Sequence, residues 1–170
     1  TTSSAASDVY KRQLKDSEEF GISIGAKFVS NSPFDFDFTV VGTNLGEDVV
    51  STPFVNYDSG IRTQLTTGTP LAMIREPYFN RTYKSYSSHR ETPYKPINSN
   101  FPAVIQNENT IFFAHQIDKL YFNHGMRIHR QIFENAIVEL DYQPILKVNN
   151  LPSAGKVSLP VSYTHLTLPT

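Results

Sequence analysis

Residues 102–117 read "PAVIQNENTIFFAHQI". Two β-prone runs flank the polar "NENT" at 107–110, a pattern that predicts a hairpin. In the second run Ile111, Phe113, His115 and Ile117 share one face, and Phe112, Ala114 and Gln116 the other. Both faces are largely apolar, as in a strand covered on two sides within an α/β sheet. The period then changes. Between Met126 and Leu140, the residues Ile128, Ile132, Phe133, Ala136, Ile137 and Leu140 form one apolar stripe at helical spacing. Gly125 punctuates the entry and Pro144 stops any continuation. The expected class is therefore α/β, strand-rich, with one C-terminal helix.

Working upstream, "FDFDFTV" at 34–40 alternates Phe34, Phe36, Phe38 and Val40 with Asp35, Asp37 and Thr39. Strict period two predicts a half-buried strand whose aspartates form the solvated face. "VVSTPFVNYDSGIRTQL" follows, with "DSG" at 58–60 as a turn between two short strands. "PLAMIREPYF" predicts a further strand closed by Pro77. The stretch "REPYFNRTYKSYSSHRETPY", residues 75–94, then runs into "TPYKPINSNFP", where three prolines forbid regular structure. A fresh β pattern after the helix places a boundary near 141–144.

The chain has 170 residues, a net charge of −1, and 39% hydrophobic content. That is enough for one modest core. The near-zero charge argues against a dedicated nucleic-acid binder or a polybasic membrane binder. With no cysteine, disulfides, thiolate metal sites and a Cys nucleophile are excluded. The compartment stays open on this composition, the cytoplasm being the favoured setting. No phosphate loop or dinucleotide fingerprint occurs, and no cofactor is expected.

Asp35 and Asp37 sit two apart, about 6.5–7 Å between Cα atoms, within the separation an inverting glycosidase pair uses. Their other reading is the solvated face of a strand. Glu76 and Glu91 flank the aromatic loop at a distance the sequence leaves open. Ser88 adjoins His89 without a nucleophile elbow. His124 and His129 lie five apart across a glycine, a poor spacing for a metal pair, so no metal site is expected. His115 reads as a core or sheet histidine. "NRT" at 80–82 fits a glycosylation acceptor.

The loop 75–94 holds five aromatics among Arg75, Arg81, Lys84 and Arg90. Such a mixture stacks on sugars, nucleobases or a partner protein. Tyr78, Asn80, Arg81 and His89 are the substrate-binding or docking candidates. The bland alternative is that the aromatics anchor a long loop to the core. In an open α/β fold the loop would lie at the C-terminal edge of the sheet.

The segment "FPAVIQNENTIFFAHQIDKLYFNHGMRIHRQIFENAIVEL" resembles the end of the trimerisation domain of bacterial β-galactosidase-like glycoside hydrolases. The shared pattern is a Pro-Ala-Val strand, a turn, a second strand, an Asp-x-x-x-Tyr segment (here Asp118 to Phe122) and a helix with His-Arg-Gln. The loop "PYFNRTYKSYSSHRETP" is similar to the corresponding loop in a subgroup of that family, and "LKVNNLPSAGKVSL" resembles the opening of the β-rich domain that follows. The two ends, residues 1–13 and 161–170, resemble translated adaptor or vector sequence. On this basis residues 14–142 are expected to form a trimerisation-like domain lacking its N-terminal part, and 143–160 the start of a β-rich domain.

The resemblance implies a partial flavodoxin-like sheet, related to class I glutamine amidotransferases and placed after a catalytic TIM barrel. The amidotransferase nucleophile is a Cys, absent here, and the catalytic glutamates belong to the barrel. No catalytic residue is therefore carried over. What the resemblance implies is a non-catalytic accessory and assembly domain, with its own upstream barrel, further copies of itself and a carbohydrate substrate as partners, and no nucleic acid or membrane. The alternative is a carbohydrate- or nucleic-acid-binding module using the 75–94 loop.

Overall fold

The computed structural model describes residues 23–140; the expectations for 1–13, 143–160 and 161–170 lie outside the described residues. Seven strands are formed: β1 (Ala26–Asn31), β2 (Asp37–Val41), β3 (Phe54–Asn56), β4 (Ile61–Leu65), β5 (Thr69–Arg75), β6 (Pro102–Asn107) and β7 (Thr110–Phe113). Two helices close the described region, α1 (Ile117–His124) and α2 (Arg127–Glu139).

The hairpin at 102–113 forms as its pattern predicts. Asn107 pairs with Thr110 and Val104 with Phe113, and Glu108 takes a left-handed φ of 50° at the two-residue turn. Primed hairpin turns need that conformation to match the strand twist. The second strand stops at Phe113, earlier than its apolar alternation suggests, because the chain turns into α1 at Ile117. Leu120 is fully buried there, and Asp118 lies in the first turn, where a negative charge complements the helix dipole. Gly125, at φ 64°, caps α1 in the left-handed conformation and donates its N–H to the Tyr121 carbonyl at 2.8 Å. α2 then begins at Arg127, within a residue of its sequence-based boundary.

Five strands form one sheet in the order β3-β2-β5-β6-β7, while β1 and β4 pair separately. Every pairing is antiparallel. The described residues are thus a strand-rich arrangement of antiparallel sheets with two helices. This corrects the expectation of a partial flavodoxin-like sheet, whose strands run parallel. Parallel neighbours require a crossover of a dozen or more residues, usually a helix. Here both helices follow the last strand, so none bridges two strands of the sheet. An antiparallel sheet has no common C-terminal edge, and the expected position of the 75–94 loop at such an edge lapses with it.

The core joins Leu45, Leu71, Ala72, Ile74 and Val104 to Ile132 and Ala136 of α2. The helix is pinned to the turn at Thr43–Leu45 by Asn135, whose Nδ2 donates to the carbonyls of Leu45 (2.9 Å) and Glu47 (2.7 Å). Asn44 Nδ2 adds a bond to Glu139 Oε1 at 3.0 Å. Ile61 N–H donates to the Ala114 carbonyl at 3.0 Å, tying the start of β4 to the end of the β6–β7 hairpin. Among the described residues no helix is long and apolar enough to cross a membrane.

Candidate functional site

The aspartates that look equivalent in "FDFDFTV" have opposite fates. Asp37 is 1% exposed, whereas Asp35 lies at the surface. β2 sits between β3 and β5, and both of its faces are covered: Phe36 and Phe38 are buried, but so are Asp37 and Thr39. The solvated-face reading is corrected for Asp37 and Thr39. A buried carboxylate needs every acceptor position served, and three donors serve this one. His115 Nε2 lies 2.7 Å from Oδ1, Asn56 Nδ2 donates to Oδ1 at 2.9 Å, and Gly60 N–H donates to Oδ2 at 2.8 Å.

These bonds fix protons as well as positions. Asn56 Nδ2 also donates to Thr39 Oγ1 at 2.8 Å, so its Oδ1 faces His129 Nε2 at 2.9 Å as an acceptor. His129 is then the Nε2–H tautomer, and its buried Nδ1 meets no partner of hydrogen-bonding geometry. Burial, chiefly, with the nearby His115 and His124, pushes His129 down to about 4, against an opposing pull from the Met126 carbonyl. His115 Nε2 carries the proton it gives Asp37, so its 3.3 Å approach to Asn56 Nδ2 sets two donors side by side and is no bond. His115 is a satisfied core histidine, as its sequence position suggested.

Gly60 completes the constellation by lacking a side chain. A Cβ there would sit 2.8 Å from His115 Cε1 and Nε2. Gly60→Ala is expected to displace the imidazole and lower stability by about 1–3 kcal/mol, the cost of overpacking a core. A thermal melt checks this, and an unchanged midpoint would show that the His115 ring moves freely.

The buried network matters for the surface above it. Asp37 and Asn56 are direct cross-strand partners, so the network clamps the residues beside them, Asp35 and Phe36 before Asp37 and Tyr57 after Asn56. Those three line one side of a pocket of about 240 Å3, and Arg81, Arg90 and Glu91 of the long loop line the other. Asn80 joins the two sides: its Oδ1 accepts the Asp35 N–H at 3.0 Å and its Nδ2 donates to the Pro33 carbonyl at 2.9 Å. Tyr57 packs against His124 with ring centroids 4.8 Å apart at a 49° tilt, and its ring lies 5.9 Å below the Arg90 guanidinium.

The loop is closed at its base. Pro77 bridges Tyr94, Tyr78 N–H donates to the Pro93 carbonyl at 3.0 Å, and the buried Thr92 donates its hydroxyl to the Phe79 carbonyl at 2.6 Å. Glu76 takes Lys95 Nζ at 2.9 Å and pairs with Arg62. Burial would raise the Glu76 carboxyl, but hydrogen bonds and charge from Lys95 and Arg62 outweigh it and hold the group below its ordinary range. One aromatic of this stretch is an anchor as well: Tyr94 packs edge-on against Phe38 at 5.1 Å and beneath Arg75 at 5.4 Å.

The four loop candidates therefore divide. Arg81 lines the 240 Å3 pocket and Asn80 orients it. Tyr78 lines a neighbouring cavity of about 350 Å3, with Glu76, Lys95 and Ile97. His89 is exposed beside neither, its carbonyl accepting the Ser87 hydroxyl at 2.8 Å. Of the carboxylates, Asp37 is sealed inside, Glu76 is held by two cations, and Asp35 and Glu91 meet at the pocket. His124 and His129 turn to different partners, Tyr57 and Asn56. Among the described residues no group of three or more His, Asp or Glu converges as a metal ligand set. Sequence reasoning missed Tyr57 and Asn56, and the only signal was their place just before the "DSG" turn.

A solved structure of alpha-L-fucosidase isoenzyme 2 from Paenibacillus thiaminolyticus is similar to this chain, with a TM-score of 0.63 and 24% identity. The likeness covers 69% of this chain and 18% of the fucosidase chain, so the match spans under a fifth of that protein. No protein-family model matches, and no curated protein matches by sequence.

Proposed function

We propose that this chain is a non-catalytic accessory and assembly piece of a carbohydrate-active glycoside hydrolase. In the finer form of this reading it takes the place of the trimerisation domain of a β-galactosidase-like enzyme, with an antiparallel sheet instead of a flavodoxin-like one, packed on a catalytic barrel and on further copies of the same protein. One observation carries it: the fold matches a segment amounting to 18% of a protein whose name is that of a glycoside hydrolase. The rest of such a protein is then available to hold the chemistry. Two features of the chain agree. Two of its carboxylates are committed to structural partners, the buried Asp37 to His115, Asn56 and Gly60, and the half-buried Glu76 to Arg62 and Lys95. Its two helices expose Phe122 (82%), Val138 (73%) and Phe133, and Phe122 and Phe133 line a cavity of about 210 Å3 with Ile117 and Tyr121. Apolar surface of this kind would suit a contact with another domain or subunit.

The test is to recover the coding sequence on either side and express the longer protein with and without residues 23–140. Light scattering is expected to show a multimer that reverts to monomer on deletion. An unchanged assembled mass would reject the assembly role. A second reading, a carbohydrate- or nucleic-acid-binding module on the 75–94 loop, draws on Tyr83 and Tyr86, which are almost bare at the loop tip beside Lys84. Nucleic-acid binding would fall steeply with added salt, whereas sugar binding would not.

A further inference from the structure

We propose that the pocket between the end of the sheet and the long loop binds a single neutral pyranose ring. This rests on the carbohydrate-active reading above and gives it a location on the chain. The first argument is charge. The pocket is lined by two arginines, Arg81 and Arg90, two acidic residues, Asp35 and Glu91, and two aromatics, Phe36 and Tyr57. A phosphate would meet two carboxylates and an ammonium group two guanidiniums, so either forfeits in repulsion what it gains in pairing. A polyhydroxylated ring takes both sets at once, since each hydroxyl donates to a carboxylate and accepts from a guanidinium.

The second argument is that these groups have bonding capacity to spare. Neither the Asp35 carboxylate nor the Arg81 guanidinium has a side-chain partner among the described residues. Arg90 and Glu91 approach only to 3.8 Å, with Arg90 83% exposed, a pairing worth little in water. The third argument is shape. At about 240 Å3 the cavity is smaller than the roughly 300 Å3 at which drug-sized sites begin, which suits one ring. Phe36 and Tyr57, the latter held by His124 at 4.8 Å, give the pocket an aromatic wall for the ring's C–H side. The sheet side is fixed in advance by the Asp37–Asn56 clamp and the Asn80 tether, and such preorganisation lowers the cost of binding.

The test uses the full 170-residue chain, labelled with 15N and titrated with methyl β-D-galactopyranoside and methyl β-D-glucopyranoside. Sodium phosphate and methylammonium serve as charged comparators. At least one glycoside is expected to shift the amide signals of Asp35, Tyr57, Arg81 and Glu91 saturably, with Kd on the order of 1 mM. Asp35→Asn and Arg81→Gln, both at exposed positions, are each expected to raise that Kd about tenfold. Tyr78→Ala, in the neighbouring cavity, is expected to leave it unchanged. The proposal is overturned by absence of saturable shifts with both glycosides, by a stronger response to phosphate or methylammonium, or by a Kd indifferent to both pocket variants. A chain that binds no sugar but still supports assembly of the longer protein would lose this pocket assignment while keeping the accessory role.

Discussion

Asp37→Ala is expected to cost about 3–5 kcal/mol, the range for removing one partner from a buried charged network. The substitution strands three donors that point at the carboxylate from three separate places in the chain: His115 Nε2–H, Asn56 Nδ2–H and Gly60 N–H. None can turn to water, since Asn56 and Asp37 are 1% exposed and His115 6%. A domain of this size has roughly 5–15 kcal/mol of stability in total, so the loss removes a large part of it. Urea denaturation followed by circular dichroism would show the midpoint falling sharply. Asp35→Ala, two residues earlier at the surface, is expected to stay within about 0.5 kcal/mol of the parent. Equal effects from the two substitutions would contradict the assignment of one aspartate to the interior and the other to the pocket.

The second large effect concerns pH. His129 has a folded-state pKa of about 4 against an ordinary 6.5. Between those values the unfolded chain binds a proton that the folded chain refuses, so stability rises with pH across that window. Stability from this group is therefore complete above about pH 6.5 and is lost progressively as pH falls to about 4, in all roughly 3 kcal/mol. Glu76 acts in the same direction but lower. Its depressed carboxyl gives stability that is present above its ordinary pKa and lost as pH falls through the folded value. The slope between pH 6.5 and 5 thus belongs to the histidine. Unfolding free energies measured at half-unit steps check it, and His129→Gln, which keeps a donor for Asn56 Oδ1, is expected to flatten that part of the curve. A parent protein equally stable at pH 5 and pH 7 would contradict a neutral, buried His129.

What the sequence made legible follows the range of the interactions involved. α2 declared itself because six apolar residues repeat at helical spacing within fifteen positions. The β6–β7 hairpin did so because its turn and both strands lie within a dozen residues. α1 is a single eight-residue helix, too short for its period to stand out against the strand-like run before it. Strand direction was beyond reach, since an apolar run reads alike in parallel and antiparallel sheets and only the connections decide between them.

The site was least legible of all. Asp37 and His115 are 78 positions apart, and Asn56 and His129 are 73 apart. No local pattern encodes a bond that the sheet order creates. Period two placed Asp35 and Asp37 on a common face, but the strand is irregular before Asp37, where β2 begins, so the two never share one environment. Of the four loop candidates, Arg81 and Asn80 came together at the pocket because Asn80 ties the loop to the sheet, whereas Tyr78 and His89 have no such tie to it.

The separation of chemistry from recognition is tested most directly by incubating the purified 170-residue chain with an aryl β-D-galactoside and following release of the aryl alcohol. The expected result is no release above the buffer blank over hours at pH 5 to 7, because Asp37 and Glu76 are committed to structural partners. Asp35 and Glu91, which line the pocket together, are assigned to binding rather than to the acid and base roles such hydrolysis requires. Turnover that disappears in Asp35→Asn or Glu91→Gln would contradict the account, making the pocket an active site in its own right.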